Sequence, residues 1–214
     1  IFGLPFQTLD DVLDTIDKTK SLSPDRLAFY SYAHVPWIKG NGQRGFNDED
    51  IPKDDQKRLL YETGKQLLYE NDYHEIGMDH FALKTDSLFE SFETGKLHRN
   101  FMGYSSSKTQ LMIGLGVSSI SDSWYSFAQN VKNLEDYYQM LEWNKLPIFR
   151  GHLLTNEDLI IRKHILNLMC QFETSWADNS TYFEEIPAVL NQLEEMQNDG
   201  LVVFKENGIQ VTEA

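Results

Sequence analysis

The first residues of the chain carry the feature that most constrains its fold: a strand end, a helix and a second strand follow in close succession. Residues 1–5 are apolar and end in Pro5, as at the end of a strand that runs into a loop. Apolar residues then recur at helical spacing over residues 9–16, and Thr8 can cap this helix. Residues 27–33 form an apolar and aromatic run, typical of a strand that is covered on both faces of a parallel sheet. This strand–helix–strand order predicts an α/β fold.

Composition excludes several classes of protein. Lys and Arg total 19 against 33 Asp and Glu, which gives a formal net charge of −14. This balance argues against a nucleic-acid-binding protein, because such proteins present a basic face to phosphates. Hydrophobic residues make up 41% of the chain, enough to bury a core. No apolar run approaches the roughly 18 residues of a membrane span, so we expect neither a nucleic-acid nor a membrane partner.

Both termini of the sequence lie close to predicted strands. The chain starts at Ile1 without a signal-peptide pattern, and it ends soon after the predicted strand at residues 209–212. A chain that began in the middle of a core strand would leave backbone groups of the neighbouring strands without hydrogen-bond partners. We therefore interpret the sequence as a piece of a longer protein. A processed mature form is the alternative. The single cysteine, Cys170, rules out an internal disulfide framework and is compatible with a reducing cytoplasm.

The predicted first domain covers residues 1–147. Strand-like segments at residues 73–83 and 111–120 extend the α/β pattern of the N-terminus. A short helix is predicted near residues 88–92 and a longer one from Leu134.

The predicted second domain covers residues 148–214. Residues 156–172 form a strongly apolar helix, and Pro187 lies in the first turn of another. Two short strands then flank Asn207-Gly208, a strong hairpin signal. Helices followed by a hairpin are typical of a winged-helix module, so we expect this domain to be mainly helical and winged-helix-like. An interaction module or a DNA-binding module is therefore a further alternative for the function, which the acidity of the chain disfavours.

Asp79 and His80 form the most reactive-looking pair, at the end of the apolar part of a predicted strand. The carboxyl ends of parallel strands are where α/β folds place their ligands. A neutral imidazole at this position can act as a general base or bind a ligand. A histidine whose ring is satisfied by a backbone carbonyl is the alternative, and the local sequence leaves both open.

Arg99 lies between His98 and Asn100 and brings a guanidinium group together with two further hydrogen-bonding side chains. Arginine suits bidentate recognition of carboxylates. A structural ion pair with one of the many acidic residues is equally compatible with the sequence.

Two further features are weak signals. Gly114 and Gly116 form a Gly-x-Gly pair without the third glycine of a dinucleotide fingerprint, so close backbone packing is the simpler interpretation. Cys170 and His164 lie on the apolar helix, and we predict that both are core residues.

Short segments spread over the whole chain carry a family pattern. They are Gly3-Leu4-Pro5, Gln7-Thr8, Pro24-Asp25-Arg26-Leu27, Tyr32-Ala33-His34, Gly77-Met78-Asp79-His80-Phe81-Ala82, Leu97-His98-Arg99-Asn100-Phe101, Gly103-Tyr104 and Gly114-Leu115-Gly116-Val117-Ser118-Ser119-Ile120-Ser121. In this order, they resemble the bacterial oxygen-independent coproporphyrinogen III oxidases, which are radical S-adenosylmethionine (SAM) enzymes. Haem chaperones of the same superfamily share the first two segments but differ at residues 77–81 and 98–101, so the resemblance favours the oxidase. A radical-SAM-like haem chaperone or haem-binding protein is the alternative.

The resemblance implies the C-terminal part of a partial (β/α) radical-SAM barrel, followed by the mainly helical domain. It implies two cofactors, SAM and a [4Fe-4S] cluster, and two partners, a porphyrinogen substrate and an electron donor, in the cytoplasm. In such enzymes the SAM-derived radical takes hydrogen from a propionate side chain, and loss of carbon dioxide and an electron leaves a vinyl group. The three cluster cysteines of the family form a C-x3-C-x2-C motif that this sequence lacks, so we expect them upstream of Ile1 and expect this chain alone to be inactive.

The resemblance also implies roles for individual residues. Ala33 and Ile120 match positions that line SAM sites in the family. The four propionates of the substrate make His80 and Arg99 candidate carboxylate partners. Met102 stands where the family commonly has Gln, which weakens a polar role there. Because a barrel that is cut between strands exposes an edge, we also expect this chain to self-associate.

Overall fold

The first unit comprises Ile1–Thr94 of a computed structural model that describes residues 1–38 and 42–212. Its elements are α1 (Leu9–Leu22), β1 (Arg26–Ala28), a 3₁₀ helix (Asp48–Asp50), α2 (Asp54–Glu70), β2 (Tyr73–Gly77), β3 (His80–Leu83) and α3 (Ser87–Glu93). The cap predicted at Thr8 is confirmed and takes the form of a capping box, because the Asp11 amide donates to the Thr8 hydroxyl and the Thr8 amide donates to the Asp11 carboxylate. These bonds satisfy amide groups that the first turn of a helix leaves without partners.

The sheet of the first unit is antiparallel, with the strand order β1-β3-β2. The prediction of one strand over residues 73–83 was wrong, because the chain reverses at Met78 and Asp79. Both residues have positive φ angles, 44° and 62°, and β2 and β3 therefore form a hairpin. The parallel pairing implied by the first strand–helix–strand unit is present as a single bridge between Phe2 and Ser31.

An aromatic and aliphatic core holds the first unit together. Phe81 is fully buried, and Phe2 and Phe29 pack with their ring centroids 4.9 Å apart. Gly64 on α2 permits this packing, since a Cβ there would lie 2.4 Å from the Phe29 ring. The complete cluster contains Phe2, Val12, Ile16, Phe29, Leu60, Leu68, Tyr73 and Phe81.

The second unit comprises Gly95–Ala214. Its strands are β4 (His98–Asn100), β5 (Gly103–Ser105), β6 (Leu111–Met112), β7 (Ile120–Ser123), β8 (Ser126–Asn130), β9 (Ile148–Leu153), β10 (Glu173–Ser175), β11 (Val202–Lys205) and β12 (Gly208–Val211). Its helices are α4 (Leu134–Glu142), α5 (Asn156–Gln171), a 3₁₀ helix (Asn179–Thr181) and α6 (Ile186–Asn198).

The largest sheet of the second unit has four antiparallel strands in the order β6-β7-β8-β9. The prediction of a continuous strand over residues 111–120 was wrong. Gly114 and Gly116 interrupt it, and only Leu111–Met112 and then Ile120 onward pair with neighbours. Since β9 starts at Ile148 and pairs with β8, the sheet includes strands on both sides of the boundary predicted between residues 147 and 148. The division into two domains at that boundary stays a prediction.

The predicted C-terminal helices and hairpin are present, and the hairpin turn lies one residue before the predicted Asn207-Gly208. The Thr155 and Asp158 side chains cap α5 reciprocally, and Pro187 lies in the first turn of α6. The hairpin of β11 and β12 turns at Glu206 and Asn207, and β10 extends it to three strands. None of the sheets among the described residues closes into a barrel. Within the same residues, no helix is both long and apolar enough to cross a bilayer.

Candidate functional site

One face of the β7-β8-β9 sheet collects the side chains that are most suited to binding a ligand. Ile120, Gln129 and Arg150 are partners across the three strands and form one row. Asp122, Phe127 and His152 form the next row, two residues along each strand. Because side chains alternate between the faces of a strand, both rows lie on the same face.

A cavity of about 340 Å³ opens on this face. It is lined by Phe101, Ile120, Phe127, Ala128, Gln129, Arg150, Gly151 and His152. Phe101, Ile120 and Phe127 contribute its large apolar side chains, and its amide and basic side chains come from β8 and β9. A cavity with apolar walls and a few polar groups that fix orientation is typical of a small-molecule site.

Hydrogen bonds orient the two basic side chains of β9. The Arg150 Nε donates to the Gln129 Oε1 at 2.9 Å, and the Gln129 amide donates in turn to the Ser118 carbonyl at 3.2 Å. The His152 Nε2 lies 3.3 Å from the Asp158 carboxylate at the start of α5. Hydrogen bonds from the Thr155 amide and hydroxyl lower the pKa of Asp158, which keeps it charged beside His152.

Helix α5 closes the other end of this face through a buried ion pair. The Arg162 Nη2 donates to both carboxylate oxygens of Asp122, at 2.9 and 3.1 Å. The Arg162 Nη1 donates to the Ser123 and Trp124 carbonyls, and its guanidinium group stacks 4.7 Å from the Trp124 ring. Arg162 is therefore satisfied by the protein, whereas the Ile120–Arg150 end of the face stays open.

Of the two residues matched to SAM sites, Ile120 lines the cavity and Ala33 does not. Ile120 begins β7, and a Cβ at Gly114 would lie 2.7 Å from its carbonyl oxygen. Gly114 thus serves close backbone packing here, whereas Gly116 has a positive φ of 96°. Ala33 lies in the first unit after the Phe2–Ser31 bridge, where its exposed carbonyl accepts a hydrogen bond from the Gln43 side chain at 3.0 Å.

His80 opens β3 directly after the hairpin turn, so its predicted place at the end of a parallel strand was wrong. Its Nδ1 lies 2.9 Å from the Met78 carbonyl, which can only accept, so this nitrogen carries the proton. Its Nε2 lies 2.9 Å from the Tyr30 hydroxyl. Burial, followed by the charge of Glu75, raises the pKa of the neighbouring Asp79. The carbonyl contact matches the alternative interpretation of His80, and its role in substrate binding stays a prediction.

Arg99 lies on β4 opposite Tyr104 of β5, with its guanidinium carbon 4.6 Å from the centre of the tyrosine ring. Its Nη1 is buried and has no hydrogen-bond partner among residues 1–38 and 42–212. A buried donor without a partner costs free energy, so an acceptor oxygen that reached this nitrogen would be stabilised.

Cys170 and His164 are buried in the second unit, as predicted for core residues. Burial raises the pKa of the Cys170 thiol to about 11, so it is protonated at neutral pH. Both ring nitrogens of His164 lie 2.7 Å from protein oxygens, those of the Thr174 hydroxyl and the Thr181 carbonyl.

Comparisons with known proteins give a consistent result. The chain is 38% identical over 220 residues to the oxygen-independent coproporphyrinogen III oxidase of Escherichia coli (strain K12), covering 99% of this chain and 47% of that protein. It is 33% identical to the Helicobacter pylori protein of the same name, again over 99% of this chain. A solved structure of the Escherichia coli coproporphyrinogen III oxidase, described as a radical SAM enzyme, superposes with a TM-score of 0.88 and 36% identity. No family model matches the chain.

The chain is a homologue of these radical SAM coproporphyrinogen III oxidases. It spans about half the length of the curated relatives that it matches, and it corresponds to their C-terminal half. The resemblance inferred from the short sequence segments is therefore confirmed at the level of the family and of the fold.

Sequence reasoning missed the polar part of the cavity of this oxidase homologue. Arg150, Gln129 and His152 lie outside the short motifs quoted in the sequence analysis, and their strands are separated in the sequence by α4. One signal could have found them: Phe127 and Gln129 on one strand, and Arg150 and His152 on the other, share a face at the two-residue period of β-structure.

Proposed function

We propose that this chain is the C-terminal portion of an oxygen-independent coproporphyrinogen III oxidase, a radical SAM oxidoreductase of haem biosynthesis. The observation that carries the proposal is similarity over 99% of the chain, in sequence and in fold, to enzymes of that name. The reaction converts two propionates of coproporphyrinogen III to vinyl groups and gives protoporphyrinogen IX. In each round the substrate side chain loses one hydrogen atom, one carbon dioxide and one electron, and a carbon–carbon double bond forms.

The residues of this chain do not fit the [4Fe-4S] cluster. Its single cysteine is buried and protonated, whereas cluster ligands are thiolates. The described residues also contain no group of three His, Cys, Asp or Glu side chains that could hold a metal ion. The proposal therefore assigns the cluster ligands to the part of the protein upstream of Ile1.

For SAM, we propose two contacts in this chain, Ala33 and Ile120. Ile120 supports it, because this residue lines a cavity with an apolar floor. Ala33 offers an exposed small side chain and backbone beside the Phe2–Ser31 bridge. Apolar and backbone contacts of this kind suit the adenosine and methionine parts of SAM.

For the substrate, the proposal assigns propionate carboxylates to Arg99 and His80. The Nη1 of Arg99 supports this assignment, because it has no hydrogen-bond partner among the described residues and its N–H groups can donate to a carboxylate that reaches it. In the full-length enzyme, we expect Arg99→Ala to raise the Kd for the porphyrinogen about tenfold, the loss of one charged hydrogen bond. SAM cleavage should fall much less. An equal loss of porphyrinogen binding and of SAM cleavage, or no loss of either, would contradict the assignment.

Anaerobic turnover tests the function itself. The full-length protein, with SAM, a chemical reductant and coproporphyrinogen III, should release carbon dioxide and form vinyl groups. A parallel haem titration separates the alternative class, since a haem chaperone on the same fold would bind haem stoichiometrically and show no turnover. Protein that binds haem and leaves coproporphyrinogen unchanged would overturn the proposal.

Three further parts of the proposal concern the surroundings of the enzyme. The reaction needs an electron donor to the cluster, and the reducing compartment suggested by the single cysteine is the cytoplasm. The chain alone should self-associate, because Phe149 and Leu153 of β9 are 62% and 80% exposed. Light scattering over a range of concentrations tests this expectation, which a concentration-independent monomer would contradict.

A further inference from the structure

We infer that Arg150 is a carboxylate-binding residue that helps determine the specificity of the β7-β8-β9 cavity. The inference rests on the proposed function, and it concerns a residue that lies outside the short motif segments quoted in the sequence analysis. Both ligands of the proposed enzyme carry carboxylates: the porphyrinogen carries them on its propionates, and SAM carries one on its methionine part.

The register of the sheet places Arg150 at the cavity. Ile120, Gln129 and Arg150 form one row across three strands, so the guanidinium group shares a face with the Ile120 side chain. The apolar floor contributed by Phe101 and Phe127 suits a flat or aliphatic ligand body, and the arginine lies at its edge. A carboxylate attached to such a body would reach a cation as the body covers the floor.

The guanidinium group is oriented by an amide and carries no compensating charge. Its Nε donates to Gln129, which is itself held by the Ser118 carbonyl, and this fixes the plane of the group. Among residues 1–38 and 42–212, no carboxylate lies within ion-pair distance of Arg150. Arg26 and Arg162, in contrast, each pair with an aspartate at 2.9 Å.

The other basic residue of the cavity already has a carboxylate partner. His152 lies 3.3 Å from the Asp158 carboxylate. Arg150, in contrast, is a cation without a carboxylate within ion-pair distance among the described residues, in a chain whose formal charge is −14. A planar guanidinium group that is held along one edge presents its remaining N–H groups to a carboxylate in a bidentate geometry.

A binding experiment on the full-length protein tests the inference without relying on turnover. The variants are Arg150→Gln, Arg150→Lys and the charge-matched control Lys205→Gln, which lies on the separate β11 strand. The probes are coproporphyrin III, its uncharged tetramethyl ester, and SAM. We expect Arg150→Gln to weaken coproporphyrin III binding about tenfold, and to leave the ester and SAM unchanged. Arg150→Lys should recover part of the loss, and Lys205→Gln should match the wild type.

The outcomes separate the sources of the carboxylate. Weakened SAM binding with unchanged coproporphyrin III binding would support the carboxylate site and assign it to the methionine part of SAM. Unchanged binding of both ligands, or equal weakening of the acid and its ester, would overturn the inference. Wild-type protein that binds no coproporphyrin III and shows no anaerobic turnover would count against the proposed function instead. Because Arg150 is exposed, unchanged circular dichroism of the variants is expected and confirms that they fold.

Discussion

The two units of this chain use their buried residues differently. In the first unit, the core cluster is aromatic and aliphatic, and Phe81 and Ile76 at its sheet are 0% exposed. In the second unit, buried positions include polar groups that are paired within the protein, such as Asp122 with Arg162 and His164 with Thr174. Every residue of β9 is exposed, and α4 buries none of its side chains.

This difference separates a unit that is held together by an apolar core from a unit whose buried polar groups are paired within the protein. A close-packed apolar core stabilises a fold but offers no access to small molecules. The sheet face of the second unit is closed at one end by the Asp122–Arg162 ion pair and is open at the other end. The ion pair holds the strands in place, and the open end gives a ligand access to their side chains. We therefore assign the second unit the larger role in ligand binding and the first unit the more compact core.

The largest expected difference in the free energy of unfolding is that between variants of two phenylalanines, one in each unit. Phe81→Ala in the first unit should lower the free energy of unfolding by about 3–5 kcal/mol, because it removes a fully buried ring and leaves a cavity. Phe149→Ala on β9 should change it by less than about 0.5 kcal/mol, because that ring is 62% exposed. Denaturant unfolding of the two variants measures both values. Similar losses for the two variants would remove the contrast between the units.

The next largest effect on the free energy of unfolding is expected for the buried ion pair of the second unit. Asp122→Leu should cost about 3 kcal/mol, because it leaves the Arg162 charge buried without its carboxylate. The double variant Asp122→Leu with Arg162→Met should recover most of this loss, since it removes both charges together. A double-mutant cycle followed by denaturant unfolding measures the coupling. A double variant that is as unstable as the sum of its single variants would show that the two residues act independently.

The smallest expected effect concerns a charge in the first unit. The pKa of Asp79 is raised from its ordinary 3.8 by burial and then by the charge of Glu75. Because the folded state holds this proton more tightly than the unfolded state, the stability from Asp79 is complete below pH 3.8 and is lost as the pH rises through the folded pKa. Asp79→Asn should therefore raise the stability at pH 7 by about 0.5 kcal/mol, after allowance for solvent screening.

The control for this effect lies in the pH dependence. Asparagine tolerates the φ of 62° at this position and keeps an oxygen acceptor, so the backbone of the turn should not change. Thermal unfolding should show the gain at pH 7 and none below about pH 3.5. A gain of the same size at both pH values would indicate a backbone effect in place of a charge effect.

The sequence was sufficient to predict the helices and the family, because their signals are local. The capping residues Thr8 and Thr155 and the hairpin turn at Asn207 each depend on a few neighbouring side chains. Strand pairing is not local, and an apolar run does not indicate whether its partners are parallel. The reversal at Met78 and Asp79 gives no glycine or proline signal at the two turn positions themselves, so the antiparallel sheet was missed.

The site was predictable only in part, for the same reason. Ile120 was found because it lies in a segment that resembles the family, whereas Arg150 comes close to it only through the pairing of β8 with β9. The register of three strands has to be known before the Ile120–Gln129–Arg150 row can be seen. The roles of Ala33, His80 and Arg99 stay predictions that the binding experiments test.

Hydrogen–deuterium exchange tests the central claim most directly, namely that the open face of the β7-β8-β9 sheet binds the porphyrin ligand. The full-length protein is compared with and without coproporphyrin III. The account predicts slower exchange of backbone amides within Ile120–Ser123, Ser126–Asn130 and Ile148–Leu153, with no change in the hairpin of β11 and β12. Slower exchange confined to the first unit or to that hairpin, with these three strands unchanged, would contradict it.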